Sequence, residues 1–257
     1  LHLSIRRQRQ MCIRDSRGRN CVVSFDEIGM EETVAADVEN ADVCQLHERI
    51  TALAQNLRMQ MLASVSSLTR TLEARDPYMM HHAENVQAYC RAILEELGCP
   101  PEIMDSLNVA AQLHDLGKIS IPDAIMQKPG PLSDRERHVV EQHPLVSVQI
   151  VEPLGLTTEE LRSIKHHHER FDGFGYPGGL SGKKIPFGSR IIAVADAFDS
   201  MTANGAYRQI MSLEEALAEI KSTSGSHFDP EIVEAFEKAV QKHQTDWPLQ
   251  SVRQAVC

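Results

Sequence analysis

At 257 residues the chain is long enough to bury a full hydrophobic core, as one large domain or as one domain with a short additional segment. Its formal net charge of −10 excludes general nucleic-acid binding through a basic face, and it leaves any anionic substrate to be met by local cations rather than by a long-range field. No run reaches the roughly 18 apolar residues of a membrane span, and six cysteines without a Cys-x-x-Cys spacing suggest neither a thiolate metal site nor a disulfide framework.

Residues 1–20 carry six arginines, no sustained apolar core and no periodicity, so no secretory leader is read there and the expected compartment is the cytoplasm. The Met11–Ser16 string MCIRDS looks like translated sequencing-adapter sequence, and the segment is expected to be foreign or disordered; a genuine basic tail is the other reading. Residues 21–43 are acidic and read as a linker or the remnant of an upstream domain. From 44 to 75, Leu46, Ile50, Leu53, Leu57, Met61, Val65, Leu68 and Leu72 recur three or four apart, which predicts one long amphipathic helix. That stripe either packs on the domain that follows or pairs two subunits as a coiled coil.

Beyond Asp76-Pro77 the pattern becomes a series of helices with readable ends. Val86 to Leu97 forms an apolar helical face that closes at Gly98, and Pro100-Pro101 opens the next helix, which delivers His114 and Asp115 near its C-terminus. Ser133 with Glu136, Thr157 with Glu160 and Ser212 with Glu215 are capping-box patterns, the first ahead of a segment ending in His143-Pro144. Ile191 to Met201 reads as a helix containing Asp196, Asp229-Pro230 starts the last helix, and Arg170 to Gly188 is a Gly/Pro-rich loop. With aromatics at 5% and no strand pattern long enough for a sheet, the fold class is all-α.

Twelve histidines are more than packing requires, and many stand beside carboxylates at separate helix ends. His114-Asp115 and His167-His168 let one backbone segment serve two ions. A bridging carboxylate, for which Asp115 is the natural candidate, holds two metals roughly 3.5–4 Å apart in sites of this class. Mixed imidazole and carboxylate donors suit iron or manganese, with nickel and zinc as alternatives.

The chain resembles the HD-GYP family, a subgroup of HD-domain phosphohydrolases, from about Leu68 to Val240. The resemblance rests on HDLGK at 114–118, IPDAIMQKPGPL at 121–132, HHERFDGFGYPGGLSG at 167–182 and RIIAVADAFDSMT at 190–202. It implies an HD-type helical bundle over 68–245, with a GYP loop across the site, the long helix before it and a tail at 246–257. It also implies metal binding by His82, His114, Asp115, His143, His167, His168 and Asp196, with two divalent transition-metal ions. Lys118 takes the family's phosphate-contact position, and Tyr176 and Arg208 are further substrate contacts; Asp115 and Lys118 are the catalytic pair. Glu169, Asp172, Gly173, Gly175, Tyr176 and Pro177 form the GYP loop, Glu169 being expected to orient a ligand histidine. His81, His138, His166 and His227 fall outside the ligand pattern.

The implied activity is hydrolysis of cyclic di-GMP to pGpG, GMP or both, in bacterial second-messenger signalling. The alternatives are an HD phosphohydrolase acting on another cyclic dinucleotide or nucleotide phosphate, and a catalytically weak interaction module that binds a diguanylate-cyclase-type partner. Two departures from the family matter. Some members hold a third metal through a glutamate four residues before the first ligand histidine, where this chain has Tyr78, leaving Glu73 or Glu84 to substitute. At Asn204-Gly205-Ala206-Tyr207-Arg208, many members have an arginine where Gly205 stands, so one bidentate phosphate contact is missing.

Overall fold

The computed structural model describes residues 10–14, 20–24, 30–73, 81–202 and 210–242, and divides the chain into two units, Leu1–Gln60 and Met61–Cys257. Tyr78, Gly205, Arg208 and the 246–257 tail lie outside the described residues. In the first unit, β1 (Gln10–Arg14) pairs antiparallel with β2 (Asn20–Ser24), Cys12 opposite Val22. This two-stranded ribbon lies within and just after the segment expected to be foreign or disordered, outside the helical bundle. Neither segment alternates apolar and polar residues, the pattern by which a half-buried strand is read from sequence.

α1 spans Met30–Glu73 and so begins well before Cys44, inside the stretch expected to be a linker. No glycine or proline interrupts residues 30–73. The apolar stripe divides along the helix. Leu46, Ile50, Leu53 and Leu57 are exposed, whereas Val65 is buried and Leu62 packs against the core.

The second unit follows the predicted helix ends closely. α2 (His82–Glu96) stops at Gly98, whose φ of 65° is the left-handed value that ends helices, and α3 (Pro101–Leu113) starts on its proline. The short α4 (Asp123–Met126) is followed by α5 (Asp134–Val140), α6 (His143–Val151) and α7 (Thr158–Lys165). After the Gly/Pro-rich loop come α8 (Phe187–Thr202), α9 (Leu213–Ser222) and α10 (Pro230–Lys242). All three capping boxes form, at Ser133, Thr157 and Ser212. One boundary differs: His143 opens α6 instead of closing the helix before it, because α5 already ends at Val140 and Pro144 fits a helix's first turn.

The core joins α2, α8 and α10 through Tyr89, Phe198 and Phe236, whose ring centroids lie 4.9–6.2 Å apart in edge-on arrangements. Such pairs are each worth about 0.5–1.5 kcal/mol beyond area burial. Ile191, Ile192, Val194, Ala195 and Phe198 turn one face of α8 into this core, and Asp196 and Asp199 are carried toward the start of α2.

A second packing constraint positions the His114-Asp115 turn. A Cβ on Gly117 would stand 2.0 Å from the His143 carbonyl oxygen and 2.6 Å from the Ser147 amide, so only glycine lets the turn press onto α6. Ser147 Oγ accepts the Gly117 N–H at 2.7 Å and donates to the His114 carbonyl at 2.7 Å. The turn and α6 are thus fixed to each other at the residues that carry the site.

Arg190 on α8 donates to the buried Asp229 and to the Ile185 carbonyl at 3.1 Å, while Lys183 reaches Asp229 at 2.9 Å. Burial opposes ionisation of Asp229, but hydrogen bonds from Lys183 and Arg190 outweigh it and hold its carboxyl below the usual carboxylate range. Replacing Arg190 by alanine is expected to lower the unfolding free energy by about 3 kcal/mol, measured by urea denaturation. Because the folded pKa is the lower one, the pair's contribution is complete above the unfolded carboxylate range and is lost as pH falls through the folded value. The gap between wild type and variant is therefore expected to narrow in acid.

Candidate metal centre

Seven side chains predicted from sequence meet in the second unit. His82 is the first residue of α2, His114 and Asp115 follow α3, His143 opens α6, His167 and His168 follow α7, and Asp196 lies within α8. They form two groups of donor atoms, each within 4.8 Å: Asp115, His143, His167 and His168, and His82, His114, Asp115 and Asp196. Asp115 belongs to both. Its Oδ1 faces His143 Nε2 at 3.2 Å and His167 Nε2 at 3.9 Å. Its Oδ2 faces His82 Nε2 at 3.4 Å, His114 Nε2 at 3.5 Å and Lys118 Nζ at 2.5 Å.

The imidazoles are aimed by bonds on their far side. His114, His143 and His167 each place Nδ1 2.7 Å from the carbonyl three residues earlier, at Ala111, Val140 and Ile164. A carbonyl can only accept, so Nδ1 carries the proton and Nε2 is left as the donor toward the centre. His82 reaches the same result through a side chain, its Nδ1 lying 2.7 Å from Asp199 Oδ2, while Asn85 Nδ2 donates to Asp199 Oδ1 at 2.8 Å. Asp199 and Asn85 were not legible as site residues. Their signal is spacing alone, three residues beyond Asp196 and three beyond His82, where one helical turn brings a side chain back to the same face.

The electrostatics call for cations. Burial lowers His114, lowers His167 further and pushes His168 down to about 3, so these imidazoles are neutral ligands near pH 7. Burial also opposes ionisation of Asp115 and Asp196. The Lys118 ammonium nonetheless holds Asp115 well below the usual range, and His82 holds Asp196 down. Burial alone would lower His82, yet the Asp115 and Asp199 carboxylates beside it carry it up to about 10. The upward shift reflects the positive charge that three neighbouring carboxylates, Asp115, Asp196 and Asp199, demand at this place. His82 Nε2, His114 Nε2 and Asp115 Oδ1 are buried without a hydrogen-bond partner, an arrangement costly for polar atoms unless a cation accepts their lone pairs. The donor set fits divalent metal ions.

Around this centre, a cavity of about 40 Å³ abuts the His82 side, lined by Glu73, Gln112, Asp115, Lys118 and Asp123 among others. Glu84 instead pairs with Arg70 and His81 at the surface. On the other side Tyr176 lies over His168, ring centroids 4.9 Å apart and 30° from parallel. Burial, together with the charges of Asp115 and Asp196, pushes the Tyr176 phenol up, so it remains a proton donor. Asp172 pairs with Arg170 at 2.6 Å and takes the Phe174 N–H, and Gly173 has a φ of 87°. Gly175 is needed for close approach, since a Cβ would meet the Arg170 amide at 2.3 Å. Pro177 follows a cis peptide bond.

Glu169 departs from its expected part. Its carboxylate accepts the Gly178 and Leu180 amides at 2.6 and 2.9 Å and faces His166 Nδ1 at 3.1 Å, so it clamps the loop rather than orienting a ligand-type histidine. Of the histidines outside the cluster, His166 thereby braces the loop, His227 stacks flat on Phe228, His81 meets Glu84 and His138 is exposed.

Residues 66–232 match the model of the HD domain. The chain belongs to the HD-domain family. Among related HD-domain proteins, it is 41% identical over 176 residues to a cyclic di-GMP phosphodiesterase of Thermotoga maritima, covering 68% of this chain and 48% of that one. It is 35% identical over 176 residues to a 3'3'-cGAMP-specific phosphodiesterase of Vibrio cholerae, covering 68% and 38%. The chain thus spans less than half the length of these two relatives. The solved structure of a cyclic GMP-AMP-specific phosphodiesterase of V. cholerae shares the fold, with a TM-score of 0.56 and 22% identity, over 73% of this chain and 51% of that chain. This bundle of HD-domain helices is all-α, and among the described residues no helix is long and apolar enough to cross a membrane.

The Glu169 clamp can be tested directly. Glu169→Ala leaves the Gly178 and Leu180 amides without their acceptor and is expected to cost about 1–3 kcal/mol in urea denaturation. Limited proteolysis should then cut within 173–182 sooner than in the wild type.

Proposed function

We propose that this chain is a metal-dependent phosphodiesterase of the HD-GYP type that hydrolyses cyclic di-GMP to pGpG, GMP or both. The observation that carries the reading is Asp115, one buried carboxylate whose two oxygens face two separate imidazole sets. The named activity of the Thermotoga relative supplies the substrate class. His82, His114 and Asp196 would hold one ion, His143, His167 and His168 the other, and Asp115 both. Iron or manganese suits the mixed donors, with nickel and zinc as alternatives. When bound, such ions supply Lewis acidity toward the phosphate and bring the pKa of water into the neutral range.

The chain's own groups then have defined tasks. Neutral His114, His167 and His168 offer lone pairs without first giving up a proton. The Lys118 ammonium, held beside Asp115, places positive charge where a phosphate oxygen would come, and Arg208 is its partner in this reading. The protonated Tyr176 hydroxyl gives a hydrogen-bond donor on the opposite side, and its ring a face for a base. These local groups carry the burden, since a net charge of −10 repels a dianionic substrate at long range. A cyclic dinucleotide substrate supports a location in the bacterial cytoplasm.

The test is chromatographic analysis of cyclic di-GMP incubated anaerobically with protein loaded with ferrous iron or manganese. pGpG or GMP is expected, and Asp115→Ala should abolish turnover with the helical circular dichroism unchanged. Retained activity in a metal-loaded Asp115→Ala variant would sink the proposal. No product from protein with two bound ions would favour an interaction module that binds a diguanylate-cyclase-type partner. A second substrate reading, 3'3'-cGAMP or a related cyclic dinucleotide, is favoured by Gly205 at the position of a family arginine and by the Vibrio relative. Side-by-side turnover of the two dinucleotides separates them.

The N-terminal part of α1 supports a homodimer. Val43, Leu46, Ile50, Leu53 and Leu57 alternate by three and four residues and each is at least 57% exposed, the seam of a two-stranded coiled coil. Sedimentation velocity is expected to show a dimer that the Ile50→Asp, Leu53→Asp double variant converts to monomer.

A further inference from the structure

We propose that Glu73 is a positioning residue that makes the His82 side of the centre competent for a cation, by capping α2 from the end of α1. The proposal rests on the two-ion reading above.

A helix leaves its first N–H groups without intrahelical partners, and a residue at the N-cap usually supplies an acceptor. α2 has no such residue. Its N-cap is His81, a non-glycine residue at φ 67° whose side chain makes no cap bond. The acceptor comes from ten residues earlier, where Glu73 Oε1 takes the Ala83 N–H at 2.9 Å. The carboxylate is buried, at 9% exposure, and lies at the positive end of the α2 dipole. The peptide it grips joins Ala83 to His82, the one member of the two donor groups that α2 provides. Asp199 fixes the His82 ring, and Glu73 fixes the backbone from which that ring projects.

The other donors are held from elsewhere. His114, His143 and His167 hang on the carbonyls of Ala111, Val140 and Ile164, in α3, α5 and α7. Loss of the Glu73 bond therefore acts on one half of the centre. The neighbouring Arg70–Glu84 pair, 73% and 49% exposed, also ties α1 to α2 but is solvated and contributes little. It provides a control for the general loss of contact between the two helices.

The experiment is titration of the metal-free full chain with manganese, followed by isothermal calorimetry and by electron paramagnetic resonance. Wild type is expected to take two ions and show a spin-coupled pair. Glu73→Met keeps the volume but offers no strong acceptor, and should bind the first ion normally while the second weakens about 10–100-fold, with an uncoupled manganese signal. Glu73→Gln keeps a carbonyl oxygen for the Ala83 N–H and should restore the second ion to within about threefold of wild type. Arg70→Ala should match wild type. Two ions at wild-type affinity in Glu73→Met would overturn the proposal. So would equal loss in Glu73→Gln, which would make Glu73 a ligand and not a cap, and so would loss of both ions in Glu73→Met, which would make its role global. Wild type that binds no ion would instead remove the two-ion reading itself.

Discussion

The second unit is built around one carboxylate that cannot be left as it stands. Asp115 is buried and ionised, with one oxygen lacking a hydrogen-bond partner and the other shared among two imidazoles and a lysine. A buried charge needs compensation, and Lys118 supplies only part of it, because Asp196 and Asp199 add negative charge close by. Much of the surrounding architecture serves to hold this cluster closed. Gly117 lets the Asp115 turn sit against α6, and the Tyr89–Phe198–Phe236 cluster ties α8 to α2.

Two halves of the centre emerge with different supports. The half containing His143, His167 and His168 is made from the consecutive segments α5 to α7 and is covered by the loop that Glu169 clamps. The half containing His82 is assembled from α2, α3 and α8, residues more than a hundred positions apart, and it borrows its helix cap from α1. Apart from the shared Asp115, segments near one another in the chain build the first half, and packing between distant segments builds the second. The second is therefore more exposed to changes elsewhere in the chain, since each non-local contact depends on elements that must first find one another.

Most of the second unit was legible from sequence because its signals are local. Capping boxes at Ser133, Thr157 and Ser212, Gly98 and Pro101 mark helix ends within a few residues of the chemistry that causes them. His114-Asp115 and His167-His168 were legible as donors because they sit in adjacent pairs near helix ends, and the resemblance to the HD-GYP pattern added His82, His143 and Asp196. What escaped was relational. Asp199 matters because of what faces it across the core, and Glu73 because of an amide ten residues away. Glu169 follows a histidine pair and so reads as orienting one of those rings, while the Gly178 and Leu180 amides that its carboxylate accepts lie nine and eleven residues further on. The early start of α1 was hidden by acidic composition, which reads as linker although nothing in it breaks a helix.

The bonds that aim the imidazoles also differ in what substitution can reach. For His114, His143 and His167 the acceptor is a main-chain carbonyl, a group every amino acid possesses, so changing Ala111, Val140 or Ile164 alters packing but leaves the acceptor in place. His82 alone among the four depends on a side chain, Asp199, which a single codon can replace. Three donors are therefore shielded from mutational drift in their orientation, and the fourth is heritable and tunable. Among these four rings, evolution seeking to adjust the centre without dismantling it has such a handle at Asp199, on the half that joins the protein's distant segments.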